Sequence, residues 1–147
     1  RDRGYRYYWA TKELRVKDLD FRPDTHARSI YETMEHIYGL SIMVLNASKN
    51  QVNQRADTSQ MKVNDLRLAT LENLKLASEK ISSLNNLEDF NILFQNSSKR
   101  KTLPFWHVLN GPLADAIYHT GQIVSFRRTS GNPMNSKVNV LMGKTDL

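Results

Sequence analysis

Ile30-Tyr31-Glu32-Thr33-Met34-Glu35-His36-Ile37-Tyr38-Gly39-Leu40-Ser41-Ile42-Met43-Val44-Leu45 is the stretch that decides the fold class. Ile30, Met34, Ile37, Ser41, Val44 and Leu45 recur at spacings of three and four, which lays them along one face of a helix. Leu40, Ile42 and Met43 widen that face, so a helix buried on two sides is expected. It is predicted over about Thr25–Ser48, with Asp24 or Thr25 as its cap. Phe21-Arg22-Pro23-Asp24 closes the connector before it, because the residue preceding a proline is pushed away from helical geometry.

Outward from this helix the same periodicity returns. Asn46–Gln60 is polar and reads as a loop. Met61–Leu84 is a third helical pattern, with Val63, Leu66, Leu71, Leu74, Ala77, Ile81 and Leu84 as its stripe and Glu72, Lys75, Glu79 and Lys80 on its other faces. Asn85–Thr102 is a connection with a short strand or helical turn at Phe90–Phe94, and Lys99-Arg100-Lys101 reads as solvated charge. A fourth helix is predicted over Pro104–Thr129, started by a proline whose missing N–H costs nothing there. Gly111-Pro112 should kink it or delay its true start, and Ser130-Gly131-Asn132-Pro133 ends it. Val138–Met142 is short and apolar and is expected to pack as an extended strand. Before the central helix, Asp2–Leu14 carries Tyr5, Tyr8, Trp9 and Ala10 and reads as a short helix or the end of a longer one. Val16–Asp24 is a connector. Four helical patterns predict an all-α four-helix bundle with a short extended C-terminal tail, one domain over residues 1–147.

Composition narrows the function. The chain has 147 residues and no cysteine, which excludes disulfides, thiolate metal sites and cysteine nucleophiles. Lys and Arg number 21 against 15 Asp and Glu, a net charge of +6. The cations are spread from Arg1, Arg3 and Arg6 to Arg127-Arg128 rather than clustered beside aromatics, so nucleic-acid binding is not expected. The longest apolar run, near Leu40–Leu45, is too short to span a bilayer, so no membrane association is expected. A cytoplasmic chain is the expectation, although the lack of cysteine is compatible with either redox environment. The first residue is Arg rather than Met, which reads as a trimmed N-terminus.

Four histidines can carry chemistry: His26, His36, His107 and His119. Asp115 and His119 stand at i and i+4, on one face and one turn apart, as two metal ligands on one helix require. Both neighbour the core positions Ala116, Ile117 and Ile123, and an aspartate in such a place needs a partner. With His36 they would form a two-histidine, one-carboxylate set. The alternative is a solvated pair, with Asp115 capping a helix restarted after Pro112. The pattern is neither a doubled Glu-x-x-His nor His-Glu-x-x-His, so di-iron and zincin centres are not supported. Glu32, one turn before His36, is a candidate general base or a salt-bridge partner of Arg28. Gln122 can bridge to the second helix or make a structural hydrogen bond. Gly121 would allow close backbone approach. His107 can line a pocket mouth, and His26 reads as a surface residue. Arg127-Arg128 would attract an anionic substrate or stabilise the helix end.

Ser29-Ile30-Tyr31-Glu32-Thr33-Met34-Glu35-His36-Ile37 resembles the second-helix motif of the DinB/YfiT-like metal-dependent bundle family. Asp115-Ala116-Ile117-Tyr118-His119-Thr120-Gly121-Gln122-Ile123 resembles its fourth-helix signature, and Trp106-His107-Val108-Leu109-Asn110 its lead-in. The similarity covers about Asp18–Arg128. It implies a four-helix bundle with three metal ligands, by position His36, Asp115 and His119. It also implies a divalent transition metal such as Zn, Ni, Fe or Mn. The chain departs from the family at Asp115, where histidine is frequent; a hard carboxylate in place of an imidazole would shift the metal preference or weaken binding. Thr120 stands where arginine is frequent, and Pro112 lies close to the site.

Two functions follow as expectations. The resemblance implies a metal-dependent enzyme for thiol transfer or hydrolysis, acting on a small-molecule substrate that can itself be a thiol. The other is a non-catalytic helical bundle, a stress or binding protein, with a surplus apolar face that would make it a homodimer.

Overall fold

The computed structural model describes residues 4–145; Asp2, predicted to begin the first helix, and the cations Arg1 and Arg3 lie outside the described residues. Helix α3 spans Ile30–Ser48. No residue along it is fully exposed, as its wide apolar face predicted. It begins five residues later than the periodicity suggested. The cause is a reciprocal cap: Glu32 N–H donates to Ser29 Oγ and Ser29 N–H donates to Glu32 Oε2, which satisfies two N-terminal amides at once. Asp24 caps no helix; its Oδ1 accepts from His26 N–H in the preceding turn.

Helix α4, Val63–Ser82, packs against α3, and its predicted stripe supplies the buried Leu66 and Ala77. Helix α1 covers Tyr5–Thr11, and the expected connector after it holds one helical turn, α2, at Val16–Leu19. Gly4, at φ 106°, turns the chain into α1 in the left-handed region that favours glycine. Strand β1, Ile92–Gln95, pairs antiparallel with β2, Arg100–Leu103, in a hairpin that places Arg100 and Lys101, both exposed, in a strand rather than a loop. The helix predicted over Pro104–Thr129 is broken. A turn, α5, covers Phe105–Val108, a kinked segment covers Leu109–Leu113, and α6 covers Ala114–Thr129. The break sits at Gly111, whose φ −97° and ψ −107° are not helical, beside Pro112, which has no N–H to give. The C-terminal tail is a small hairpin of β3, Val138–Asn139, and β4, Lys144–Thr145. Of the stretch expected to be an extended strand, Val138–Met142, only Val138–Asn139 is strand; the chain then turns, with Leu141 and Met142 exposed at the tip.

The chain is mostly helical, yet four full-length helices are not what forms. One core joins Tyr7 and Ala10 of α1, Ile30, Met34 and Ile37 of α3, Leu66 of α4 and Ile123 of α6. A second joins Val44 and Ala47 of α3 and Ala77 of α4 to Phe90, Ile92 and Val108. Helix α3 threads both. The seven-residue α1 reaches only the first core, and the β1–β2 hairpin region closes the second.

The far end of α6 is tied to α1 by buried polar groups. Arg127, only 2% exposed, donates to the carbonyls of Trp9, Ala10 and Lys12, and to that of Asn132. The first three are carbonyls that the end of α1 leaves without helical partners. Arg127 is therefore a structural cap rather than a substrate attractor; Arg128 is exposed. Asp18, fully buried, accepts from the Arg15 guanidinium, Arg15 N–H, Asn132 Nδ2 and Ser130 Oγ. The bonds from Arg15 hold its carboxyl well below the usual carboxylate range, with Asn132 and Ser130 adding to the effect against the cost of burial.

Candidate metal centre

The break at Gly111-Pro112 determines where α6 begins, and with it the height of Asp115. Asp115 lies in the first turn of α6, where the helix dipole favours a carboxylate. No side-chain cap is made there, so capping is not what the Asp115 carboxylate does. It turns instead to two imidazoles. Oδ2 lies 3.1 Å from His36 Nε2 on α3, and Oδ1 lies 3.2 Å from His119 Nε2 one turn along α6. The two rings meet edge to face, with centroids 4.6 Å apart.

The three ligand atoms all lie within 4.8 Å of one another. Ligands held about 2.0–2.2 Å from a zinc-sized ion stand roughly 3–4 Å apart, so the group is positioned to bind a metal ion. Burial is asymmetric. The His119 side chain is 10% exposed, against 31% for His36 and 43% for Asp115. One side of the group is packed and the other is open.

Gln122 is the hydrogen-bond partner of His119 on the side away from Asp115. Its Oε1 lies 2.7 Å from His119 Nδ1. A carbonyl oxygen only accepts, so Nδ1 is the donor, and in the neutral ring Nε2 carries a bare lone pair. That lone pair faces Asp115 Oδ1, another acceptor. Two acceptors at this distance repel unless a proton or a cation lies between them. A proton on Nε2 satisfies both acceptors, and so does a divalent ion, for which two imidazoles and a carboxylate are an ordinary donor set. The i,i+3 spacing of His119 and Gln122 was the available signal for this bond. Replacing Gln122 by Leu should weaken divalent-metal affinity by about 10–100-fold, the usual effect of losing such an orienting partner. Gln122→Glu should restore it, and calorimetric titration with zinc checks both.

The other candidates lie elsewhere. Glu32 serves the α3 cap and pairs with Arg22 at 3.2 Å, not with Arg28. The bond from Ser29 N–H, helped by the Arg22 charge, holds its carboxyl below the ordinary value. His107 and His26 are exposed and outside the group. A Cβ at Gly121 would meet nothing within 4 Å, so no backbone packs closely there. Gly39, which sequence reasoning passed over, lies one turn beyond His36. It sits in the interior of α3, where glycine is about 1 kcal/mol worse than alanine, and a Cβ there would also meet nothing within 4 Å. Packing does not account for it.

Two grooves flank the group. One, of about 430 Å³, is lined by His36, Gly39, Gln54, Arg55 and Thr58. The other, of about 520 Å³, is lined by Asn110, Pro112, Asp115 and Tyr118. Leu40 and Met43 border both.

The overall fold matches that of a crystallised DinB-like protein, YjoA from Bacillus subtilis, with a TM-score of 0.57 over 88% of this chain and 87% of that one. The chain has the fold of a DinB-like protein. Identity between the two is 15%, so the likeness concerns the fold alone. No family model and no curated protein matches the sequence. No helix among the described residues is long and apolar enough to cross a membrane.

Proposed function

We propose that the chain is a metal-dependent enzyme that performs thiol transfer or hydrolysis on a small-molecule substrate. His36, Asp115 and His119 would hold the divalent ion, a transition metal such as Zn, Ni, Fe or Mn. The observation that carries this reading is the convergence of one ligand atom from each of His36, Asp115 and His119, drawn from two helices, within 4.8 Å of one another. When bound, such an ion lowers the pKa of a coordinated water or thiol and so supplies a nucleophile near neutral pH. The chain's own contribution is orientation. Gln122 fixes the His119 tautomer, α3 holds His36 opposite, and the exposed side of Asp115 leaves room for substrate. Glu32 is left out of the proposal, because a base poised near neutrality needs a raised pKa and its own is lowered.

The test is turnover of a low-molecular-weight thiol with an activated electrophile, alongside hydrolysis of an activated ester, by zinc- or nickel-loaded protein. Activity that disappears with a chelator and in Asp115→Ala supports the reading. Rates that are the same with and without chelator contradict it.

A second reading, a non-catalytic dimer, draws on exposed apolar side chains: Leu141 at 87%, and Ile117 and Met142 at 59%. A second copy of the chain is the occupant that reading requires. Dimers in sedimentation, with metal content, stability and activity unchanged in Asp115→Ala/His119→Ala, would favour it.

A further inference from the structure

We propose that Arg55 anchors an anionic group of the substrate, a carboxylate or sulfonate, in the groove beside His36; this rests on the metal-centre reading above. Arg55 and His36 line the same groove. Among the described residues the Arg55 guanidinium has no hydrogen bond or ion pair. The carboxylate that shares the groove, Glu35, is engaged by the Thr58 hydroxyl at 2.6 Å.

The segment that carries Arg55 is fastened on both sides. Before it, Val52 bridges to Leu93 of β1, Asn53 N–H donates to Leu93 O at 2.8 Å, and Asn46 Nδ2 donates to Asn53 Oδ1. After it, Thr58 is tied to Glu35 of α3. The fastened backbone fixes where the exposed Arg55 side chain starts, so only that side chain has to be ordered when it binds an anion, and a guanidinium binds a carboxylate with two parallel hydrogen bonds.

The groove is also kept open. Gly39 contributes no side chain to it, at a cost to α3 that no packing contact offsets. A larger residue there would occupy the space next to His36. Beyond Leu40 and Met43 the second groove is bordered by Pro112, Ala114 and Tyr118. The fitting substrate therefore carries an oxyanion at the Arg55 end of the groove and an apolar portion against Leu40 and Met43.

The experiment is titration of cobalt(II)-loaded protein with 2-mercaptoethanesulfonate and with 2-mercaptoethanol, read by thiolate-to-cobalt absorption. The charged thiol should bind about tenfold more tightly than the neutral one. Arg55→Gln should remove that preference while cobalt uptake and 2-mercaptoethanol affinity stay as they were. Arg55→Lys should keep part of it. Gly39→Leu should weaken both thiols and retain cobalt. Equal affinities in the native protein, or a preference that survives Arg55→Gln, would overturn the proposal alone. A protein that takes up no cobalt overturns the metal centre, and this proposal with it.

Discussion

In His119→Ala, zinc should no longer raise the melting temperature, whereas in the native protein it should raise it by about 5–10 °C at a free zinc concentration near 100 times Kd. The size follows from linkage: a ligand that binds only the folded state at that excess adds about 2.7 kcal/mol. Loss of an orienting partner weakens a metal site by about 10–100-fold, and loss of a ligand should exceed the upper figure. Asp115→Ala should show the same loss at less structural cost, since that side chain is 43% exposed and His119 is packed. The two variants separate a metal effect from a packing effect. If the shift with zinc survives in both, the cluster is not where the metal binds.

The second large effect concerns the seam between α1 and α6. Arg127→Met should destabilise the fold by about 3–5 kcal/mol, or roughly 10–15 °C in Tm. The buried carbonyls of Trp9 and Ala10 lose their donor, and unsatisfied buried acceptors cost about 1–3 kcal/mol each. Asp18 adds a pH signature. Its carboxyl titrates below its value in the unfolded chain, so its stabilisation is complete above about pH 4 and is lost as pH falls towards the folded-state pKa. Thermal melts should therefore drop more steeply below about pH 4 in the native protein than in Asp18→Asn. Equal slopes would show that the Asp18 network does not drive acid unfolding.

Residue by residue, what was legible in the sequence had a local cause. The spacing of Ile30, Met34, Ile37 and Val44 predicted α3, and the Gly111-Pro112 pair marked the place where the last long helix breaks. Asp115 and His119 could be paired because i,i+4 spacing puts them on one helix face. Their meeting with His36, 79 residues earlier in the chain, follows from no spacing rule; the apolar helix that carries His36 suggests it, and the family resemblance adds to that. The capping role of Arg127 was hidden for a related reason: its acceptors are carbonyls 115–118 residues away, and carbonyls leave no mark in a sequence. Strand β2 was missed because four residues, Arg100–Leu103, with three exposed in a row, give no alternating pattern to read. Ser29 was passed over as a cap in favour of Asp24 and Thr25, although Ser-x-x-Glu at 29–32 is a capping-box signature.

The most direct test of the central claim is the metal content of the native protein after loading with zinc, nickel or manganese and removal of unbound ion. About one equivalent of one of these metals, falling to background in His119→Ala, is the expected result. Less than about 0.1 equivalent of any transition metal would contradict it and leave His36, Asp115 and His119 as a hydrogen-bonded cluster in a helical protein.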